Sequence, residues 1–152
     1  MKYYLAYGSN LNKKQMGYRC PGAVPVGTAE ILGYRLAFRR GYLTIEPDAE
    51  ERVPVGVWKI TQANERALDR YEGYPRFYFK KSVKVMTESG KALNGMVYIM
   101  QDGHPVERPT TNYANTCLQG CRDFGISPRK LFAAYDYALE NEYWKPGKEE
   151  AR

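Results

Sequence analysis

The chain has 152 residues, 43% hydrophobic and 26% charged, which suits a single domain that buries a core without metal or disulfide staples. Its net charge of +6 is spread over sites such as Lys13-Lys14, Arg39-Arg40, Lys80-Lys81 and Arg129-Lys130, so it reads as a solvated basic surface rather than a nucleic-acid tract. Three cysteines (Cys20, Cys117, Cys121) without CxxC spacing and a single histidine argue against a disulfide framework or a zinc ribbon, and no apolar run approaches the roughly 18 residues that cross a bilayer.

Residues 3–7 form a short apolar and aromatic run, the pattern of a buried strand, which Gly8-Ser9-Asn10 breaks. This start is too short and too polar for a signal peptide, and a cytoplasmic protein is expected. Asn12 with Gln15 reads as an N-cap and its capping-box partner, opening a short helix from Lys13 to about Tyr18, and Cys20-Pro21-Gly22 ends it. Four segments rich in β-formers follow, at 23–31, 34–39, 43–46 and 53–60. Gly27 and Gly56 inside them predict bulges or sharp bends, as a small curved sheet or barrel needs. Thr61 caps a helix from Gln62 to about Tyr71, and Gly73 stops it as a left-handed residue. Two strands, 77–86 and 92–100, flank a Ser89-Gly90 turn, and a polar loop covers 101–109. A helix spans 112–123. The last helix has Ser127 as cap, Pro128 at its first position, and an apolar stripe of Leu131, Ala134, Tyr135, Ala138 and Leu139. Residues 144–152 are expected to be a frayed tail. This order lacks the regular alternation of a doubly wound fold and predicts one α+β domain over 1–152, built around a curved, mostly antiparallel or mixed sheet.

Two places carry chemistry. Tyr7-Gly8-Ser9-Asn10 lies between a buried strand and a helix, where consecutive N–H groups converge into an anion-binding nest; the competing reading is an ordinary turn. In Leu68-Asp69-Arg70-Tyr71-Glu72-Gly73-Tyr74-Pro75, Glu72 falls at a helix C-terminus between two tyrosines. The partial negative charge of that end and the loss of water both raise a carboxyl pKa toward neutrality, as a group that takes and returns protons requires. A solvated glutamate at a helix end is the alternative. Asp69, one turn earlier, reads as a surface residue or a partner of Arg66 or Arg70. A serine triad through Ser9 has only His104 to draw on, in a loop. The 14 tyrosines suit either a pocket that is apolar with polar points or a half-exposed β surface.

With Arg19-Cys20-Pro21, Thr44-Ile45-Glu46-Pro47, Val55-Gly56-Val57-Trp58, Gly95-Met96-Val97-Tyr98, and a late Tyr113 followed by Gly120 and Gly125-Ile126, these two motifs make the chain resemble the γ-glutamyl cyclotransferase-like family, which includes the AIG2-like proteins. The resemblance spans most of the chain, up to about Gly125. It implies a small mixed β-barrel with flanking helices and a cavity at its mouth. It also implies a reaction without cofactor or metal: a γ-glutamyl amino acid or amine cyclises to 5-oxoproline and releases the free amine. Glu72 takes the role of general acid/base. Tyr7, Gly8, Ser9, Asn10, Leu11, Tyr78, Tyr98 and Tyr113 become the substrate-binding set, with the Gly8–Asn10 amides holding either the α-carboxylate or the oxyanion. The expected partner is a small γ-glutamyl molecule rather than nucleic acid or membrane, and a homodimer stays open. The competing class is a non-catalytic domain of the same fold that binds a small metabolite.

Overall fold

The structure is a computed structural model in which residues 1–142 are described; the expected frayed tail lies outside them. The elements run β1 (Lys2–Ala6), a 3-10 turn (Ser9–Leu11), α1 (Lys13–Arg19), β2 (Val24–Arg39), β3 (Tyr42–Ile60), α2 (Gln62–Glu72), β4 (Tyr78–Thr87), β5 (Ala92–Met100), α3 (Thr111–Phe124) and α4 (Arg129–Asn141). Among the described residues the strands close a barrel in the order β1-β3-β2-β4-β5. Every pairing is antiparallel except the closing one, where β1 meets β5 in parallel at Tyr4 and Met96. No helix among the described residues is long and apolar enough to cross a membrane.

The four β segments expected between residues 23 and 60 are two long bent strands. Gly27 marks a bend inside a strand, as expected, whereas Gly33, which separates two of the expected segments, bends β2 instead of ending it. Its pairing with β3 slips between Pro25 and Gly27 and again between Leu32 and Tyr34, where Gly27 and Gly33 take φ of 144° and 81°. Gly56 is no bulge, for it pairs in register with Ala6 and Thr28. Its reason is close packing, since a Cβ there would lie 2.7 Å from the Phe124 ring at the end of α3.

Alternation along the strands makes two cores. Leu5, Val53, Val55, Val57, Val97 and Ile99 belong to an all-strand cluster inside the barrel. Tyr4, Ala6, Trp58, Ile60, Met96 and Tyr98 belong to a second cluster, shared with Met16, Leu68, Cys117 and Leu131 of the four helices. β1 is therefore buried on both faces, and its run of Tyr4, Leu5 and Ala6 has no polar interruption.

The helix ends follow their cap chemistry. Thr61 and Asn64 exchange side-chain and backbone bonds at 3.1 Å at the start of α2. Gly73 ends it with φ 63°, and the Tyr74 amide returns to the Asp69 carbonyl at 2.9 Å. At α1 the Asn12 Oδ1 accepts from the Gln15 amide at 3.0 Å, but the Gln15 side chain turns away to receive Arg19. α4 starts at Arg129, with Pro128 at its boundary and Ser127 Oγ accepting from the Arg129 amide at 3.3 Å.

Candidate functional site

The 3-10 turn and the end of α2 meet over the outer face of the barrel and enclose a cavity of about 380 Å³, in the range of small-molecule sites. Tyr4, Leu43, Tyr78 and Tyr98 floor it, and all four belong to the layer shared with the helices. The cavity thus opens beside the barrel rather than into its interior, which is packed with Val and Ile side chains. A larger hollow of about 580 Å³ lies by Arg35, Arg39 and Glu46, but both guanidinium groups are already engaged with that carboxylate.

Glu72 is the last residue of α2 and lines the cavity. It is partly exposed by area, yet its carboxyl is crowded by protein, and that burial raises it to about 7 against a smaller lowering by the Arg19 charge. The backbone carbonyls at this helix end act in the same direction as burial. At neutral pH the group is divided between acid and carboxylate and can both take and return a proton.

Tyrosines surround it. Burial, with a further contribution from the Glu72 charge, holds the hydroxyls of Tyr4, Tyr7, Tyr78, Tyr98 and Tyr113 well above the ordinary range, so they stay protonated. The direction of their bonds is forced by their partners. Tyr7 donates to the Tyr98 carbonyl at 2.7 Å, Tyr78 to the Leu43 carbonyl at 2.8 Å, and Tyr98 to Asp69 Oδ1 at 2.6 Å. Tyr4 instead accepts from Asn10 Nδ2 at 2.9 Å, and Tyr113 from the Leu43 amide at 3.2 Å. Three hydroxyls have therefore committed their proton to the protein, whereas Tyr4 and Tyr113 act as acceptors in these bonds.

The turn is gripped from several sides. Trp58 Nε1 donates to the Asn10 carbonyl at 2.9 Å, Arg19 bonds Asn10 Oδ1, and Ser9 Oγ lies 2.9 Å from the Tyr71 hydroxyl. The Arg19 guanidinium also stacks 3.5 Å from the centre of the Tyr71 ring. The Leu11 and Asn12 amides bond back to the Gly8 and Ser9 carbonyls at 3.0 and 3.1 Å. The Ser9 and Asn10 amides precede the first of these bonds, so the turn itself supplies them no partner. At Gly8 a Cβ would stand 3.3 Å from the Tyr113 hydroxyl, so a side chain there would crowd that wall.

Of the residues expected at the site, Tyr7, Gly8, Ser9, Asn10, Glu72, Tyr78, Tyr98 and Tyr113 all line this one cavity. Leu11 does not: it is 1% exposed and packs its side chain between Gly56 and Gly120. A residue at the end of a one-turn helix faces away from its start, and here that side is the core. Asp69 is not paired with Arg66 or Arg70; it receives Tyr98 and is bridged by Lys80 at 3.0 Å. His104 is not among the lining residues and packs its ring on Phe77, so Ser9 has no imidazole base in the cavity. Tyr4, Tyr42 and Phe77 in the lining and Arg19 behind it were not among the expected site residues, and Tyr71 was expected only as a neighbour that keeps water from Glu72. Tyr4 shares a strand face with Ala6, and Tyr71 and Arg19 stand inside the quoted motifs, so these three had a signal; Tyr42 and Phe77 had none. Among the described residues no cluster of histidine, cysteine or carboxylate side chains is placed to hold a metal ion.

Residues 4–116 match the family model described as Gamma-glutamyl cyclotransferase, AIG2-like. Gamma-glutamylcyclotransferase from Bos taurus is 29% identical over 135 residues, covering 81% of this chain and 71% of the bovine one. The Homo sapiens protein of the same name is 28% identical with the same coverage. A solved structure of a gamma-glutamyl cyclotransferase superposes with a TM-score of 0.74 at 24% identity, covering 95% of this chain and 89% of that one, a likeness of fold.

Proposed function

Since the chain belongs to the Gamma-glutamyl cyclotransferase, AIG2-like family, we propose that it converts a γ-glutamyl compound to 5-oxoproline, with Glu72 as general acid/base. The observation that carries this reading is a carboxyl raised to about 7 inside a tyrosine-walled cavity that faces the Gly8–Asn10 turn. Glu72 takes a proton from the substrate's α-ammonium, and the freed nitrogen attacks the γ-carbonyl carbon. The tetrahedral oxyanion then collapses: the bond to the leaving nitrogen breaks as Glu72 returns the proton to it, and the ring nitrogen gives up its surplus proton to the released amine, which leaves as an ammonium while the lactam becomes neutral. Folding the substrate back on itself makes the attack intramolecular, which is where orientation by the walls contributes most. The turn amides receive a negatively charged end of the substrate, its α-carboxylate or the developing oxyanion. No proton-transfer role is assigned to the tyrosines, which stay protonated. The test is release of 5-oxoproline from a panel of γ-glutamyl dipeptides and γ-glutamyl amines. Saturable calorimetric binding with no release from any of them would replace this reading with a metabolite-binding one.

The wall also suggests a preference among leaving groups. Arg70 and Glu72 are the charged residues of the lining, Arg70 is exposed, and the same lining carries the aromatic pair Tyr42 and Phe77, whose rings meet edge to face at 6.0 Å. A leaving group with an apolar body and a carboxylate matches that wall better than one with a second ammonium. Arg70→Gln is expected to raise KM about tenfold for a γ-glutamyl amino acid, the loss of one exposed charge contact, and to leave KM for the matching γ-glutamyl amine unchanged. Equal changes for both substrates would remove Arg70 from substrate choice.

A further inference from the structure

Tyr98 bonds to both halves of the cavity wall. Its hydroxyl donates to Asp69 Oδ1 at 2.6 Å, and its carbonyl accepts from the Tyr7 hydroxyl at 2.7 Å. Asp69 stands one turn before Glu72 in α2, and Tyr7 directly precedes Gly8 in the chain. One residue of β5 thus ties the helix that ends in Glu72 to the strand end that leads into the turn.

Asp69 is itself held. Lys80 Nζ approaches it at 3.0 Å and also takes Glu65, one turn earlier in α2, at 2.8 Å. Lys80 and Tyr98 are direct partners across β4 and β5, so their side chains leave the same face of the sheet and reach the same carboxylate. Neither Asp69 nor Lys80 lines the cavity. We propose that Asp69 and Lys80 are the positioning pair of this site, locking the Tyr98 hydroxyl onto the last turn of α2 and so holding Glu72 in place against the Gly8–Asn10 turn. The inference rests on the cyclotransferase reading, because it takes Glu72 as the group whose placement matters.

An ordinary half-exposed ion pair contributes to stability weakly and does not select the chemical step. A positioning pair lowers kcat through misplacement and leaves substrate binding nearly intact. Asp69→Asn and Tyr98→Phe are each expected to lower kcat about tenfold with KM within about twofold, and the double variant is expected to lose no more than either single, since both remove one link. Lys80→Met follows them, and Lys80→Arg restores kcat; this second pair keeps the test open if Asp69→Asn folds poorly. Independently of turnover, hydrogen exchange at the Gly73 and Tyr74 amides, which bond the Arg70 and Asp69 carbonyls at 3.3 and 2.9 Å, is expected to quicken in Asp69→Asn and Tyr98→Phe. Additive losses in the double variant, a change confined to KM, or unaltered exchange at Gly73 and Tyr74 overturn the proposal. A wild-type chain that releases no 5-oxoproline removes the functional reading instead, while the exchange measurement still decides whether the clamp exists.

Discussion

Glu72→Gln is expected to reduce 5-oxoproline release by about 10²–10⁴-fold, the range for loss of a positioned acid/base, with substrate binding little changed. The amide fills the same space at the end of α2 but cannot carry a proton from the attacking nitrogen to the leaving one. Activity retained in this variant would remove Glu72 from the mechanism. The pH profile supplies the companion measurement. Glu72 must be ionised to accept the first proton, so kcat/KM is expected to rise as pH passes through about 7. Arg19 lowers the Glu72 carboxyl, so Arg19→Met should move that limb to higher pH. A limb that stays in place in Arg19→Met would mean that another group sets it.

The same shift has a signed consequence for stability. A carboxyl whose folded pKa lies near 7, above the ordinary glutamate value of 4.5, binds more protons folded than unfolded between those values. Stability contributed by the proton is present at low pH and is lost as pH rises through about 7. Glu72→Gln has no charge to bury, so its melting temperature should gain on the wild type as pH rises from 5 to 8, in thermal melts run at about those values. The site carries a carboxylate at a cost to the fold, which is where a reactive group is expected to sit.

Gly120→Ala is expected to destabilise the chain by about 1–3 kcal/mol, even though alanine is the better helix former by about 1 kcal/mol. Gly120 lies inside α3, and a Cβ there would stand 2.5 Å from Leu11 Cβ and 2.7 Å from the Asn12 backbone nitrogen. Backbone atoms cannot move aside as a flexible side-chain tip can. α3 must therefore retreat or the Ser9–Leu11 turn must shift, and the second course also disturbs the cavity wall. Gly17 supplies the control. It is exposed within α1, with nothing within 4 Å of its built Cβ, so Gly17→Ala is expected to stabilise by about 0.5–1 kcal/mol through helix propensity alone. Urea melts of the two variants should move in opposite directions. Gly120→Ala should also lose activity, and Gly17→Ala should keep it. A Gly120→Ala chain as stable as the wild type would mean that α3 does not clamp the turn.

Local chemistry made much of the site legible before any fold was known. Thr61 and Gly73 set the two ends of α2, and so put Glu72 on its last turn, where the helix end works against ionisation. Asn12 capped α1 as its side chain dictates, and the Ser9–Leu11 turn fell where Gly8 interrupts β1. Gly27 was legible as a bend, but Gly33 was misread as a strand end because a bend and a break show the same residue in the sequence; only the continuing ladder to β3 separates them. Gly56 failed in the opposite way, since the Phe124 ring that requires it arrives from far along the chain.

The sequence by itself determined which short segments form and which residues stand at their ends, because caps, turns and alternation are settled by neighbours a few positions apart. It therefore put Glu72 at a helix terminus and Gly8-Ser9-Asn10 in a turn. Only the tertiary structure decided what those groups meet. Ser9 and Tyr71 are 62 positions apart, Tyr7 and Tyr98 are 91 apart, and Asp69 reaches Tyr98 across 29. Those encounters depend on which strands become neighbours when the barrel closes through the parallel contact of β1 and β5, and no local pattern encodes that closure. Barrel closure brings α2, the turn and β5 to one place, and their shared burial makes an ordinary glutamate a carboxyl that titrates at about 7.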